Sequence, residues 1–186
     1  MAIKTFTTGE VLTASDTNTY LANAGLVYVT STSLGGVTNT ISNVFSSTYD
    51  SYRIVVNNFS NSTTTTREFS LRMGTDASAY YGRGEQYIFG AGSNAVNGTT
   101  GQTSAKLGNV SLLNSSGFVL DIHAPNKAAA TVWTYQMMTY QSDVTAYVFR
   151  TGYGFMDTLT QYTGFQIIGT VDNLSGNVTV YGYRKA

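Results

Sequence analysis

Residues 52–58 read YRIVVNN, and this stretch decides the fold class. Apolar side chains occupy every second position at Tyr52, Ile54 and Val56, and Arg53 stands between the first two. A period of two places successive side chains on opposite faces of a β-strand, whereas an amphipathic helix repeats its apolar residues every three or four positions. The stretch therefore predicts a strand with one buried face.

The same period recurs along the rest of the chain. Residues 67–73 and 118–123 alternate in the same way, and similar runs lie near 26–32, 85–90, 105–113, 130–140, 144–151, 162–170 and 177–184. Clusters of Asn, Gly, Ser and Thr separate the runs, as is typical of turns between strands. Because such alternation is typical of antiparallel sheets with one buried face, we predict an all-β fold: a jelly-roll-like antiparallel β-sandwich of about eight to ten strands.

The N-terminal segment follows a different pattern and predicts an arm. The sequence TASD at 13–16 has the form of a helix N-terminus. We predict one short helix from about residue 14 to 23, ended by Gly25. A helix this short is not stable alone in water, so it must pack on its own domain, on sister subunits or on a larger particle. The predicted organisation is a docking arm at 1–25 and a β-sandwich at 26–186.

The composition is poor in charge and rich in hydroxyl groups. Charged residues make up 11% of the chain, against roughly 25% in a typical soluble domain. Serine and threonine together number 47. Ten Lys and Arg balance ten Asp and Glu, and the four lysines are scattered. Because nucleic-acid binding depends on clustered Lys and Arg that neutralise phosphates, we expect no nucleic-acid partner.

Several absences bear on where the protein works. The opening MAIKTFTTGE contains no apolar core of the kind that a secretory signal peptide has, and no apolar run is long enough for membrane insertion. Cysteine is absent, so no disulfide holds the fold. The composition is nevertheless typical of an extracellular or particle-surface protein. A virion protein reconciles these features, because it is made in the bacterial cytoplasm, assembled there and released by lysis.

We expect no catalytic residue, no metal site and no cofactor. The single histidine, His123, is two positions from Asp121, but the motif Gly-x-Ser-x-Gly is absent, and we interpret the pair as a solvated or interface pair. Zinc sites usually combine several His or Cys ligands, and no EF-hand loop occurs. A Gly-x-Gly-x-x-Ala match at 90–95 is not followed by a helix, so we predict a flexible loop at 90–101.

The aromatic residues allow two interpretations. In the last predicted strand, Val178 and Val180 lie on one face, and Tyr181 and Tyr183 lie on the other. Such a strand is apolar on both faces, which favours a partner on each. Tyr181 and Tyr183, together with Trp133, are candidates for a subunit interface or a ligand-facing surface. The alternative is that these aromatic residues pack the sandwich and its edges.

Three stretches resemble virion proteins of tailed bacteriophages, especially small tail-fibre or capsid-decoration proteins of marine and cyanobacterial phages. They are the leader TFTTGEVLTASDTNTYL at 5–21, FSSTYDSYRIVVNN at 45–58 and the closing VTVYGYRKA at 178–186. The resemblance implies a leader that docks onto the particle, a jelly-roll-like body that faces outward, and commonly a homotrimer. It implies no catalytic residues. The apolar leader residues that we expect to dock are Phe6, Val11, Leu12, Tyr20 and Leu21.

The expected function is that of a non-enzymatic virion structural protein, namely a capsid decoration or cement protein. Its partners would be further copies of itself and the major capsid protein. The first alternative is a receptor-binding tail-fibre protein, whose arm would attach to a tail component while the 90–103 loop and exposed tyrosines contact host surface glycans. Two further alternatives are a glycan-degrading enzyme, which would need two suitably spaced carboxylates, and a free bacterial carbohydrate-binding module.

Overall fold

The computed structural model describes residues 7–11, 13–16, 25–89, 94–112 and 116–184. Within these ranges the chain forms one helical turn, α1 (Ala14–Asp16), and twelve strands. The strands are β1 (Leu26–Leu34), β2 (Thr38–Ile41), β3 (Ser51–Asn61), β4 (Arg67–Met73), β5 (Tyr80–Ile88), β6 (Asn94–Gln102), β7 (Ala105–Val110), β8 (Ser116–His123), β9 (Thr131–Gln141), β10 (Ala146–Met156), β11 (Phe165–Gly169) and β12 (Leu174–Tyr183).

The strands form two antiparallel sheets. The larger sheet has the order β1-β12-β3-β8-β9-β10-β5-β6, and the smaller sheet has the order β2-β11-β4-β7. Four strands, β5, β6, β9 and β10, can be set aside. When the other eight are renumbered 1 to 8 in chain order, the larger sheet has the order 1-8-3-6 and the smaller sheet has the order 2-7-4-5. These orders describe two interlocked Greek keys, which is the arrangement of a jelly roll. The predicted fold class is confirmed, and the four additional strands all extend the larger sheet.

Two of the twelve strands, β2 and β6, differ from the prediction. The expectation of a flexible loop at 90–101 is wrong, because β6 begins at Asn94 and pairs with β5. A period of two becomes visible only when a strand buries one face against other elements, and the sequence of β6 contains a single large apolar residue, Val96. Backbone pairing with β5 defines this edge strand, and a hydrophobic pattern cannot reveal such pairing.

An aromatic cluster joins the two sheets at the centre of the core. Phe69 on β4 of the smaller sheet packs against Phe59 on β3 and Phe118 on β8, with ring centroids 4.6 and 5.4 Å away. Phe59 and Phe118 meet each other edge to face at 5.2 Å. All three side chains are buried. Aromatic pairs in such arrangements add about 0.5–1.5 kcal/mol each beyond the burial of their area.

The inner face of the added strands is built differently, from glycines covered by two large rings. Gly152 and Gly154 on β10 pair with Gly84 and Gly82 on β5. A Cβ atom on Gly154 would lie 2.5 Å from the indole of Trp133, and one on Gly152 would lie 2.5 Å from the hydroxyl of Tyr135. The rings of β9 therefore lie almost directly on the backbone of β10. This close approach requires glycine.

The N-terminal arm is described in part. The backbone N–H of Glu10 donates to the carbonyl of Thr7 over 3.0 Å, which closes a turn, and α1 begins at Ala14, where the predicted helix begins. Val11 is 79% exposed. The other four expected docking residues lie outside the described residues, as does the predicted course of the helix after residue 16; they are Phe6, Leu12, Tyr20 and Leu21. The boundary between arm and sandwich stays a prediction.

Candidate functional site

The outward-facing side of the eight-stranded sheet carries most of the exposed large hydrophobic and aromatic side chains. Fourteen such side chains are exposed in the described residues. Six lie in the arm or in loops, and the other eight lie on this surface, which we call the large-sheet outer face. The eight are Leu26, Tyr28, Tyr87, Val132, Met138, Tyr147, Tyr153 and Phe155. A concentration of exposed apolar groups on one face is typical of an interaction surface.

Strand register aligns the outward side chains into rows that cross the sheet. One row reads, from β1 to β5, Tyr28, Tyr181, Arg53, Asp121, Thr134, Tyr153 and Arg83. The neighbouring row of outward side chains, two residues further along each strand, includes Gln136, Thr151 and Glu85. Together these rows make a polar band across the middle of the face. Its charges balance, because it holds two arginines, Arg53 and Arg83, and two carboxylates, Asp121 and Glu85.

A hydrogen-bonded network over three strands fixes one end of this band. Arg53 donates from Nε to Asp121 Oδ1 over 2.9 Å and from Nη2 to Asp121 Oδ2 over 2.7 Å, and the Tyr183 hydroxyl donates to Asp121 Oδ1 over 2.8 Å. The guanidinium also lies 5.7 Å from the centroid of the Tyr183 ring. Burial raises the pKa of Asp121, but the hydrogen bonds from Arg53 and Tyr183 outweigh this effect and leave the pKa below its ordinary value. The network holds Asp121 as a carboxylate.

His123 lies at the end of β8, beside the network. Its Nδ1 is 2.9 Å from the hydroxyl oxygen of Ser51. A serine hydrolase would also need a carboxylate that orients the histidine. Asp121, the acid on the same strand face, has both oxygens engaged by Arg53 and Tyr183 instead. As predicted, Asp121 and His123 face away from the apolar side of their strand.

Aromatic clusters flank the polar band on its two sides, toward the opposite ends of β5 and β10. Near one end, Tyr81 and Phe155 stack with ring centroids 4.9 Å apart and planes 13° apart. Near the other end, Tyr87 lies 6.2 Å from Phe149, which is paired with Met138 across the strands. Phe155 and Phe149 are six residues apart on β10, which corresponds to roughly 20 Å of extended strand. The face is therefore apolar, then polar, then apolar along its strands.

Two shallow depressions lie in the polar band. The first has a volume of about 300 Å³ and is lined by Arg53, Val119, Asp121, Thr134, Tyr135, Gln136 and Thr151. The second has a volume of about 380 Å³ and is lined by Arg83, Gly84, Glu85, Thr134, Thr151, Gly152 and Tyr153. Thr134 and Thr151 line both depressions, so the two adjoin. Their size is at the lower end of that of small-molecule sites.

The outward side of the four-stranded sheet, which we call the small-sheet outer face, is polar by contrast. Lys106 Nζ and Glu68 Oε2 form an ion pair at 2.5 Å. Arg72 donates from Nε to the carbonyl of Thr103 over 3.1 Å, and Gln166 donates to the Thr40 hydroxyl over 3.0 Å. None of the exposed large hydrophobic side chains in the described residues lies on this face.

The structure places two of the three predicted interface residues together and separates the third. Tyr181 and Tyr183 both lie on the large-sheet outer face, where Tyr181 meets Tyr28 edge to face at 6.3 Å. The expectation for Trp133 is wrong, because its side chain is 1% exposed and belongs to the core, where it covers Gly154. Its position in β9 places it on the inward face, so it offers no surface to a partner.

Tyr153 and Phe155 are the most exposed aromatic residues of the face on β10; the sequence placed Tyr153 among the tyrosines that could stack on sugars or bury a subunit interface, and it did not single out Phe155. Both fall in a strand whose alternate positions are glycines, in the segment TGYGFM at 151–156. Alternation of aromatic residues with glycine indicates a strand whose aromatic side chains point away from a tightly packed interior. This alternation is the feature of the sequence that could have identified Tyr153 and Phe155 as outward-facing.

Among the described residues, no helix has the length and apolar character needed to cross a membrane. Within the same ranges, no three His, Cys, Asp or Glu side chains converge in a way that could hold a metal ion. Comparisons of the chain with protein-family models, with curated proteins and with solved structures found no match.

Proposed function

We propose that this chain is a non-enzymatic structural protein of a tailed-bacteriophage particle, namely a capsid decoration or cement protein. Its residues 1–25 dock on the shell, and its jelly roll packs against other copies of the chain through the large-sheet outer face. The single observation that carries the packing part is the concentration of eight exposed large hydrophobic side chains on that face.

The chemistry of the face suits association between identical subunits. Aromatic residues and Met are enriched at protein interfaces, where they bury area in well-packed centres. The charged groups of the polar band are balanced, with Arg53 paired to Asp121 and with Arg83 and Glu85 alternating along β5. A neutral face of this kind avoids the repulsion that would oppose contact between identical copies. We propose a homotrimer, as the resemblance to phage virion proteins implies.

The location on the particle is tested by counting and imaging. We expect quantitative mass spectrometry of purified virions to find the chain at a copy number that scales with that of the major capsid protein. Antibody labelling in electron micrographs should then mark the shell. A chain confined to the tail would contradict the decoration role, and a chain absent from particles would contradict the whole proposal.

The oligomeric state is tested on the isolated protein. We expect native mass spectrometry of the full chain to give a trimer at micromolar concentration. A strictly monomeric chain, tested up to the concentration that it reaches on a particle surface, would contradict packing between copies. It would leave docking on the shell to be judged from the virion data.

The adjoining depressions favour a second candidate, a tail protein that binds host surface glycans. Hydroxyl groups of Thr134 and Thr151, the carboxylate of Glu85 and the 59% exposed ring of Tyr153 surround them. Sugars are bound by such combinations of polar groups and aromatic surfaces.

The glycan candidate predicts that purified chain binds host polysaccharide and that Tyr153→Ala weakens this binding at least tenfold. The matched control Tyr147→Ala, on the same strand but outside the depressions, should retain it. Absence of binding by the trimer would remove this candidate. Release of reducing sugar from the polysaccharide would instead contradict the non-enzymatic role.

A further inference from the structure

Arg150 is a buried guanidinium with no carboxylate partner in the part of the chain that the structure describes. Its side chain points inward from β10 and is 5% exposed. Its hydrogen-bond partners are the carbonyl of Leu107, 3.5 Å from Nη1, and the side-chain oxygen of Gln86. Its Nε has no hydrogen-bond partner among the described residues, and no ion pair joins Arg150 to an acid there. A buried charge left without compensation is strongly destabilising.

A small cavity adjoins this group. It has a volume of about 20 Å³, and its lining combines Arg150 with Lys106, Tyr135, Trp133 and the glycine-rich strand β5. A cavity of this size holds one water-sized body. The glycines beneath the two rings maintain the space, since a Cβ atom on Gly84 would come 2.4 Å from the Tyr135 hydroxyl.

The charges around the cavity do not balance. Lys106 is paired with Glu68 at 2.5 Å, and Glu68 is also the carboxylate whose charge raises the pKa of Arg150. Arg83 also lines the cavity, so three cations and the one carboxylate of Glu68 leave an excess of positive charge there. Burial lowers the pKa of Arg150, in spite of opposing contributions from Tyr135 and Glu68, which reflects how incompletely the protein solvates this charge.

We infer that this cavity is a binding site for a small monatomic anion of the halide class, with chloride as its natural occupant. The ion would accept hydrogen bonds from the Arg150 guanidinium and the Tyr135 hydroxyl and would reduce the excess charge. A chloride ion is only slightly larger than a water molecule, whereas sulfate, phosphate and carboxylates are several times larger, so the small volume favours a monatomic anion. The site does not depend on the proposed virion role, because the buried side chains of Arg150 and Tyr135 that would hold the ion point toward the core; Arg83 and Tyr153 of the large-sheet outer face also line the cavity.

Thermal denaturation of the full chain tests the site. We compare melting in sodium chloride with melting in sodium gluconate at equal sodium concentration, since gluconate is too large for the cavity. A ligand that binds only the folded state raises the folding equilibrium constant by up to tenfold for each tenfold increase in its concentration. We expect this chloride-specific rise in the natural protein, with bromide replacing chloride.

Variants and crystallography make the test specific. Arg150→Met should abolish the chloride-specific rise, Tyr135→Phe should reduce it, and Arg72→Met, on the small-sheet outer face, should leave it unchanged. Because Tyr135→Phe removes only a hydroxyl, it provides a readout if Arg150→Met does not fold. Crystals grown with sodium bromide should show an anomalous peak beside Arg150. Equal melting in the two salts, a chloride effect that survives in Arg150→Met, or the absence of a bromide peak would each overturn the inference.

Discussion

The two outer faces of this jelly roll differ in chemistry although the same core lies beneath both. The large-sheet outer face carries eight exposed large hydrophobic side chains, whereas the small-sheet outer face carries the Lys106–Glu68 ion pair and hydroxyl groups. The four strands that extend the larger sheet beyond a jelly roll account for six of the eight. The difference teaches that the additional strands build an outward apolar surface as well as extending the core, in which their Tyr80, Trp133, Tyr135, Met137, Val148 and Met156 are buried.

The largest expected effect comes from removing aromatic side chains from one face only. The double variant Tyr153→Ser/Phe155→Ser should weaken self-association and particle incorporation by roughly 30-fold or more, because central aromatic anchors contribute about 2 kcal/mol or more to such interfaces. Analytical ultracentrifugation and quantified virion incorporation measure this loss. Circular dichroism checks that the variant is folded.

The matched double variant on the opposite face is Arg72→Ser/Ile168→Ser. Both residues lie on the small-sheet outer face. We expect association within about threefold of the natural protein, since side chains at the edge of or outside an interface contribute little. If both double variants lost association equally, the distinction between the faces would be wrong.

A smaller effect is expected from two inward glycines, one in each sheet. Gly154→Ala should destabilise the fold by about 2 kcal/mol, because the new methyl group would lie 2.5 Å from both the rigid indole of Trp133 and the backbone oxygen of Tyr81. Gly108→Ala should cost less than about 1 kcal/mol, because its closest contact, at 2.6 Å, is the flexible Met137 thioether. Urea denaturation measures both. Equal costs would show that the rings do not constrain β10.

The Asp121 network on the large-sheet outer face predicts a dependence on pH. Because its pKa in the folded protein lies below the ordinary value of 3.8, the ionised carboxylate stabilises the fold above that pH, and this contribution is lost as the pH falls through 3.8 and below. Asp121→Asn should therefore cost about 1 kcal/mol at neutral pH, allowing for its partial exposure. The difference from the natural protein should shrink as denaturation is measured at progressively lower pH below 3.8. A constant difference would contradict the role of the ionised form.

The smallest effect is expected for the ion pair beside the smaller sheet. Arg67 Nε lies 2.8 Å from Asp172 Oδ2, and the side chains of the arginine and the aspartate are 41% and 18% exposed. Arg67→Gln should change the free energy of unfolding by about 0.5 kcal/mol or less, since exposed pairs contribute little. Raising the salt concentration should remove what difference there is. A larger cost, insensitive to salt, would mean that Arg67 contributes through packing.

Much of the fold was predictable from the sequence, whereas most of the surface was not. Strands such as β3 and β8 bury one face fully, so Tyr52, Ile54 and Phe118 leave a clear period of two. That period also assigns Tyr181 and Tyr183 to an outward face, but it cannot distinguish which aromatic strands pack inward. Trp133 is buried because the glycines of β10 make room for it, and this depends on a pairing between distant segments.

The additional strands show which parts of the fold the sequence could not predict. β6 is held by backbone pairing at a sheet edge, so its sequence carries almost no apolar signal. The polar band likewise depends on register between segments far apart in sequence: Arg53, Asp121 and Tyr183 meet only because three strands align. Composition predicted a hydroxyl-rich surface, and only the topology shows where on it the aromatic side chains gather.

Hydroxyl-radical footprinting of the chain, free and within intact particles, tests the difference between the faces most directly. Hydroxyl radicals modify exposed aromatic and sulfur-containing side chains fastest and aliphatic ones more slowly, so Tyr153, Phe155 and Met138 report on the large-sheet outer face, while Ile168 reports on the other. We predict strong protection of the first three in particles and unchanged modification of Ile168. Equal modification of all four in the free and particle-bound chain, or protection confined to Ile168, would contradict the proposal that the large-sheet outer face is the packing surface.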